Sequence, residues 1–220
     1  MAATSALILL LFVVLMITLL VVSIVVIYKH GRAALRRRAA EAARYGWLPA
    51  PPNPWLMDVA ARLFTSGRPG EMFAGEFRGR GMCVLDYTYS TGAGRGQRTR
   101  VAHVVALNLP VALPPLTLSK DSGLTRAFGG RDLELENQAF NDAFRISCED
   151  DRFASAVLHP RMMEWMLFNG GLQWQFAGNA LVSWGANSFV VQDVLARLEA
   201  MHGLIELIPP YVFRDYGRPA

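Results

Sequence analysis

Hydrophobic and polar positions change pattern several times along this chain, and the first pattern is a long apolar run. Residues 6–28 read ALILLLFVVLMITLLVVSIVVIY, where only Thr18, Ser23 and Tyr28 carry polar atoms. This run has 23 residues and would measure about 34 Å as a helix, at 1.5 Å per residue. Its length exceeds the roughly 20 residues that a helix needs to cross a bilayer core. A cleaved signal peptide would have a shorter apolar region, a positive segment before it and a small-residue cleavage site after it. We therefore predict a retained transmembrane helix over residues 6–28, preceded by a short tail of residues 1–5.

A basic segment follows the apolar run. Its cations are Lys29, Arg32, Arg36, Arg37, Arg38 and Arg44, against the single acid Glu41. Cytoplasmic flanks of membrane helices carry such an excess. This predicts a single-pass plasma-membrane protein with residues 1–5 outside and the C-terminal domain in the cytoplasm. Alanine and arginine favour helix, so a basic juxtamembrane helix is expected over residues 29–46. The candidate contacts to anionic lipid headgroups are Lys29, Arg32, Arg36, Arg37 and Arg38; a topology signal with no specific lipid is the alternative.

Prolines separate the basic segment from the rest of the chain. Residues 47–54 contain four prolines and predict an extended spacer. Asn53 followed by Pro54 is a typical helix start. Leu56, Val59 and Leu63 recur at helical spacing and mark one buried face. A cytoplasmic domain is expected over residues 55–220.

After Glu71 the apolar period changes from helical to two. Strands with glycine turns between them are predicted near residues 73–77, 83–89, 101–109 and 116–119. Further strands are predicted at residues 132–136, at residues 140–148, and on both sides of the Gly178–Asn179 turn. A helix is expected to begin near Ser188 and to end just before Gly203, and two prolines at 209–210 are expected to stop any later helix. These elements predict an α+β fold, a mostly antiparallel sheet with helices packed on it.

Charge and cysteine usage narrow the function classes. The formal net charge is +4, from 22 Lys and Arg against 18 Asp and Glu. The excess lies in the basic segment, and the remainder is close to neutral. A nucleic-acid-binding domain would show a basic footprint of its own, so no nucleic-acid partner is predicted. The two cysteines, Cys83 and Cys148, lie neither in a CxxC motif nor at ligand spacing from a histidine, so no zinc site is predicted.

Candidate chemistry is concentrated in residues 140–165. Cys148 and His159 lie across a turn and could meet as nucleophile and base, but no third orienting group is identifiable. The acidic run Glu149, Asp150 and Asp151 fits a helix N-terminus. Strand, acidic cap and helical turns then account for nearly every residue of this stretch. No catalytic, metal or cofactor residues are therefore assigned.

Two other clusters have alternative readings. Gly92, Gly94 and Gly96 could cradle an anion, but a strand rather than a helix follows them, which favours a hairpin tip. Asp132, Glu134 and Glu136 would share a strand face. That row is more often solvated than metal-binding. Whether the Gly92–Gly96 loop or the Glu149–Asp151 cluster binds a ligand stays open.

Several segments resemble a known group of proteins. RYGW after the basic helix, LELENQAFNDAFRISCEDDRFASAVLHPRMM and LIPPYV are similar to segments of single-pass membrane proteins of actinobacteria that have no assigned activity. The resemblance is most specific over residues 133–163. It implies a membrane-anchored domain and brings no catalytic residues.

The first functional hypothesis is a membrane-tethered interaction or regulatory module that is not an enzyme, since tethering concentrates a domain near its partners. The lipid bilayer, anionic headgroups and a membrane or cytoplasmic protein are the expected partners, and no cofactor is expected. One alternative is a membrane-anchored hydrolase using Cys148 or its neighbouring carboxylates. A lipid-sensing domain is the other.

Overall fold

The computed structural model describes residues 2–92, 94–120, 131–169 and 171–219. Within these ranges, the side chains of residues 2–14, 27, 28, 30–32, 95, 131 and 132 are outside the description. The chain divides into two compact units, Met1–Arg44 and Tyr45–Ala220. Each unit is described by itself below.

The first unit contains one helix, α1 (Ala2–Ala43). The predicted transmembrane helix is wrong, because no helix in the described part of the chain is both long and apolar enough to cross a membrane. The predicted orientation depends on a spanning helix and is not supported either.

The second unit is an antiparallel sheet with helices, which confirms the α+β part of the predicted fold class. The strands are β1 (Leu48–Pro49), β2 (Gly67–Phe77), β3 (Arg80–Thr91), β4 (Arg98–Asn108), β5 (Leu116–Ser119), β6 (Arg131–Leu133), β7 (Arg145–Cys148), β8 (Trp174–Ala177) and β9 (Ala180–Ala186). Their order across the sheet is β1-β2-β3-β4-β9-β8-β5-β7-β6. All the described pairings are antiparallel. Because β8 and β9 insert next to β4, strands far apart in sequence become neighbours.

Helices follow from local capping signals. They are α2 (Pro54–Phe64), α3 (Gln138–Ala143), α4 (Asp151–Val157), α5 (Pro160–Phe168), α6 (Val191–Leu207) and α7 (Pro210–Tyr216). The predicted start of α2 is confirmed, since the Asn53 side chain accepts a hydrogen bond from the Trp55 N–H with Pro54 at the first helical position. Two expectations are wrong. Pro210 begins α7 instead of preventing a helix, because proline is tolerated in a first turn. Gly203 lies inside α6 rather than after it.

Two layers of helix enclose the centre of the sheet. On one face, α2 packs its buried residues Leu56, Val59 and Leu63 onto Leu85 of β3 and Val182 of β9. On the other face, α6 contacts β4 and β9. The alternation of strand side chains between the two faces gives each helix its own apolar surface. The outer strands β8, β5 and β7 extend this sheet away from its centre.

Candidate functional site

Two adjoining cavities lie at the β5 and β8 side of the sheet, and together we call them the β5–β8 groove. The inner cavity has a volume of about 550 Å³ and the outer one about 280 Å³. Pro115 and Gly178 line both cavities. Ligand pockets in proteins generally measure about 300–1,000 Å³. The groove therefore has the size of a site for a small molecule or for one end of a lipid.

The inner cavity contains Cys148, the predicted candidate nucleophile. Its thiol lies 3.5 Å from the Pro115 carbonyl oxygen and 3.4 Å from the Asp150 carbonyl oxygen, and both oxygens accept a weak hydrogen bond. Burial raises the pKa of the Cys148 thiol. Burial likewise raises the pKa of Cys83 to about 11. The thiolate is the reactive form of cysteine, and burial disfavours that form at both positions.

The structure does not pair His159 with Cys148. The His159 Nδ1 accepts a hydrogen bond from the Met162 N–H at 3.3 Å, which caps the N-terminus of α5. Its Nε2 lies 3.1 Å from the Leu207 carbonyl oxygen and donates to it in the matching neutral tautomer. Both ring nitrogens therefore hold backbone groups. His159 is a structural residue in this fold.

The acidic run beside Cys148 is a helix cap, as predicted. The Asp150 side chain accepts hydrogen bonds from the N–H groups of Arg152 and Phe153, at 2.9 Å and 3.0 Å. Glu149 and Asp150 also line the inner cavity, where Arg218 is the cation. These charges are exposed to solvent. They give the inner cavity a mixed polar rim over its apolar wall of Leu113 and prolines.

The outer cavity is built differently, with α2 on one side and strands β5 and β8 on the other. Trp55 and Arg62 come from α2, seven residues apart and hence on one face of the helix. Thr117 of β5 and Gln175 of β8 are cross-strand partners in its wall. Both are only 3% exposed. Neither side chain makes a hydrogen bond within the described part of the chain.

The other predicted site residues lie elsewhere. On α1, Lys29, Arg36 and Arg37 are exposed and Arg38 is half-buried, while the side chain of Arg32 lies outside the described residues. Gly94–Gly96 form a short 3-10 helix at the tip between β3 and β4, and residue 93 and the Arg95 side chain lie outside the described residues.

The row of carboxylates does not form a shared strand face. Glu134 and Glu136 are exposed and follow β6, and the Asp132 side chain lies outside the described residues. Among the residues that were described, no group of His, Cys, Asp and Glu could hold a metal ion.

Sequence reasoning missed a buried polar network under α6. Asp86, His103 and Gly185 are register partners across β3, β4 and β9, and a Cβ on Gly185 would lie 2.7 Å from the His103 ring and 2.8 Å from Arg197. Arg197 donates to the Ser183 hydroxyl at 2.7 Å and the Trp184 carbonyl at 2.9 Å. Asp86 and His103 lie on strand faces that are otherwise apolar. A polar residue at such a position was the sequence signal that could have indicated this buried network.

The electrostatics of that network are set mainly by burial. Burial lowers the pKa of His103, and the nearby Arg197 lowers it further. The bond to the Asn187 carbonyl and the charges of Asp86 and Asp193 oppose this. His103 Nε2 and Arg197 Nε have no hydrogen-bond partner among the described residues. Packing around Gly185 leaves no room for a ligand there, so the network serves the core.

Comparison with known proteins adds a fold relationship. No family model and no curated protein matches the chain. The chain is similar in structure to the mycobacterial trehalose monomycolate transport factor A, TtfA, with a TM-score of 0.52 and 15% sequence identity. The match covers 80% of this chain and 96% of the other. At that identity the likeness shows a shared fold.

Proposed function

We propose that this chain is a membrane-associated binding module whose Tyr45–Ala220 unit holds part of an amphiphilic lipid in the β5–β8 groove. The groove carries the proposal, because an apolar wall of Leu113, Pro114 and Pro115 adjoins a polar end at Thr117 and Gln175. A ligand with one apolar and one polar part matches both ends. A membrane or cytoplasmic protein partner stays a prediction.

Binding without catalysis fits the chemistry of the groove. Cys148 is buried with a raised pKa, and His159 is held by backbone groups. A hydrolase would need an activated nucleophile beside a base. The proposal therefore assigns the groove to recognition, in preference to the hydrolase hypothesis.

Membrane association is supported by the surface of α1. Its apolar side chains from Leu15 to Val26 are exposed, and Leu20 is 61% exposed. An exposed apolar patch of this kind marks a contact with lipid or protein. The exposed Lys29, Arg36 and Arg37 follow it. Each such cation contributes about 1 kcal/mol near an anionic lipid surface.

The fold relationship supports the same class of function. The similar structure belongs to a factor named for the transport of trehalose monomycolate. A module that binds an amphiphile at a membrane would suit a role of that kind.

The test is photocross-linking with the full-length chain. Vesicles of phosphatidylcholine and phosphatidylglycerol that contain a diazirine-bearing acyl lipid are irradiated with the protein, and the adducts are located by mass spectrometry. We expect adducts at residues 112–118 and 174–178, in addition to those on α1.

Pro115→Trp, which fills the groove, should remove the groove adducts. Pro110→Trp, an exposed proline of the same connection, is the control. Adducts confined to α1, or groove adducts that persist in Pro115→Trp, would refute the proposal.

A further inference from the structure

The outer cavity is lined by two polar side chains, Thr117 and Gln175, that make no hydrogen bond within the described part of the fold. Val182, Gln175, Thr117 and Ser147 form one cross-strand row over β9, β8, β5 and β7. Gln175, Thr117 and Ser147 are each 3% exposed. The Ser147 hydroxyl has no hydrogen-bond partner among the described residues. As described above, the same holds for the Thr117 and Gln175 side chains.

Thr117 and Gln175 border the cavity, and neither is among the residues whose polar atoms are both fully buried and without a partner. Their hydrogen-bonding groups are therefore available to a ligand in the cavity. The neighbouring position in the row, Val182, shows that an apolar side chain fits this surface. We infer that the outer cavity is a subsite for a neutral polyhydroxyl headgroup of hexose type, carried on the lipid whose apolar part lies along Leu113 and Pro114.

The groups around the subsite favour hydroxyls over an anion. The Thr117 hydroxyl and the Gln175 amide each donate and accept hydrogen bonds, and sugar hydroxyls do the same. The indole of Trp55 offers an apolar face with a polar edge, which suits the C–H face of a sugar ring. Among the described residues that line the subsite, Arg62 is the one cation, and its side chain is exposed. A single solvated guanidinium holds an anion weakly.

The inference rests on the proposed function and is tested with headgroup probes. The full-length chain is carried in phosphatidylcholine nanodiscs and titrated with hexyl glucoside, hexyl phosphate and glucose. Saturation-transfer difference NMR reads binding, with empty nanodiscs as the blank. We expect hexyl glucoside to bind more tightly than hexyl phosphate, and glucose to compete with it. Competition by glucose would show that the sugar itself is recognised, while tighter binding of the glucoside would show that the lipid form is the ligand.

Two isosteric variants identify the residues. Thr117→Val and Gln175→Met should each weaken hexyl glucoside binding about tenfold, the loss of one hydrogen bond, and leave hexyl phosphate binding unchanged. Both variants should keep a Tm close to that of the wild type, because neither side chain makes a hydrogen bond within the described part of the chain. Thr99→Val and Gln138→Met replace exposed residues of the same types outside the cavity and should change nothing.

Three results would overturn the inference. Unchanged glucoside affinity in both variants would show that the row does not bind the headgroup. Hexyl phosphate binding as tightly as hexyl glucoside would assign the groove to lipids without a sugar preference and would leave the proposed function intact. No binding of either hexyl probe would overturn the proposed function as well.

Discussion

At the scale of single residues, His159, Cys148 and His103 each form part of the packed structure of the Tyr45–Ala220 unit. His159 caps α5, Cys148 donates to two carbonyl oxygens, and His103 lies beneath α6. Burial raises the pKa of the Cys148 thiol and lowers the pKa of the His103 imidazole. The residues with unused hydrogen-bonding capacity are instead Thr117 and Gln175, which are chemically mild. The residues proposed for recognition are thus different from the candidate catalytic residues of the sequence.

The buried His103 predicts how stability depends on pH. Its pKa is lowered in the folded state by burial and by Arg197, despite Asp86, Asp193 and the Asn187 carbonyl. At acidic pH the unfolded state therefore binds a proton at His103 more readily than the folded state does. The contribution of neutral His103 to the free energy of unfolding is complete above about pH 6.5 and is lost as the pH falls below that value. The slope for one such proton is at most about 1.4 kcal/mol per pH unit.

The matching variant is His103→Asn, whose amide can still donate to the Asn187 carbonyl. Urea unfolding between pH 8 and pH 5 should show a shallower loss of stability in the variant than in the wild type. The variant should be less stable at pH 8, because its smaller side chain leaves a space beneath α6. Parallel pH profiles in the two proteins would show that His103 does not carry the effect.

At the scale of elements, short-range signals were predictable and nonlocal ones were not. The Asn53–Pro54 start, the Gly178–Asn179 hairpin and the Asp150 cap each depend on neighbouring residues, and all three are confirmed. The strand predicted over residues 140–148 is wrong in its first half, where α3 forms. The Asn137 side chain accepts from the Phe140 N–H and starts that helix, and this outweighs the alternation of Phe140 and Phe144.

The candidate site was beyond sequence reasoning for the same reason. Thr117 and Gln175 meet only because β5 lies between β8 and β7. No local pattern indicates that order. The sequence analysis selected Cys148 because a thiol can act as a nucleophile. Cys148 does line the groove, but its position there was not predicted. A site whose walls come from α2, β5 and β8 needs the sheet topology to be visible.

The Asp150 cap gives a prediction for one element. Asp150→Ala should lower the free energy of unfolding by about 1 kcal/mol, since the α4 amides lose their acceptor. Asp150→Asn should retain most of the stability, because asparagine is an equally good cap. Glu149→Ala, which removes an exposed carboxylate one residue earlier, should stay within about 0.5 kcal/mol of the wild type. Denaturant unfolding of all three variants checks this, and equal losses for Asp150→Ala and Glu149→Ala would contradict the cap.

At the scale of the whole Tyr45–Ala220 unit, the sheet order sets a gradient of local stability. Strands β4 and β9 lie at its centre with helix on both faces, and Val104 and Val105 are fully buried. Strand β1 is a two-residue edge with both residues exposed. Strand β5 has four residues and borders the groove. Segments with few covering contacts open at lower free energy than the core, and binding sites are drawn from that end of the range.

Hydrogen exchange would measure this gradient. We expect amides of residues 102–107 to exchange last, through global unfolding, and the amide of Leu48 to exchange first. Residues 116–119 should fall between them, because β5 is paired on both sides but the cavities open beside it. Occupation of the groove by hexyl glucoside should slow residues 116–119 and leave residues 102–107 unchanged, since a ligand stabilises only the states that bind it. Protection in β5 equal to that in β4 without ligand would contradict the gradient, because the groove would then be as rigid as the core.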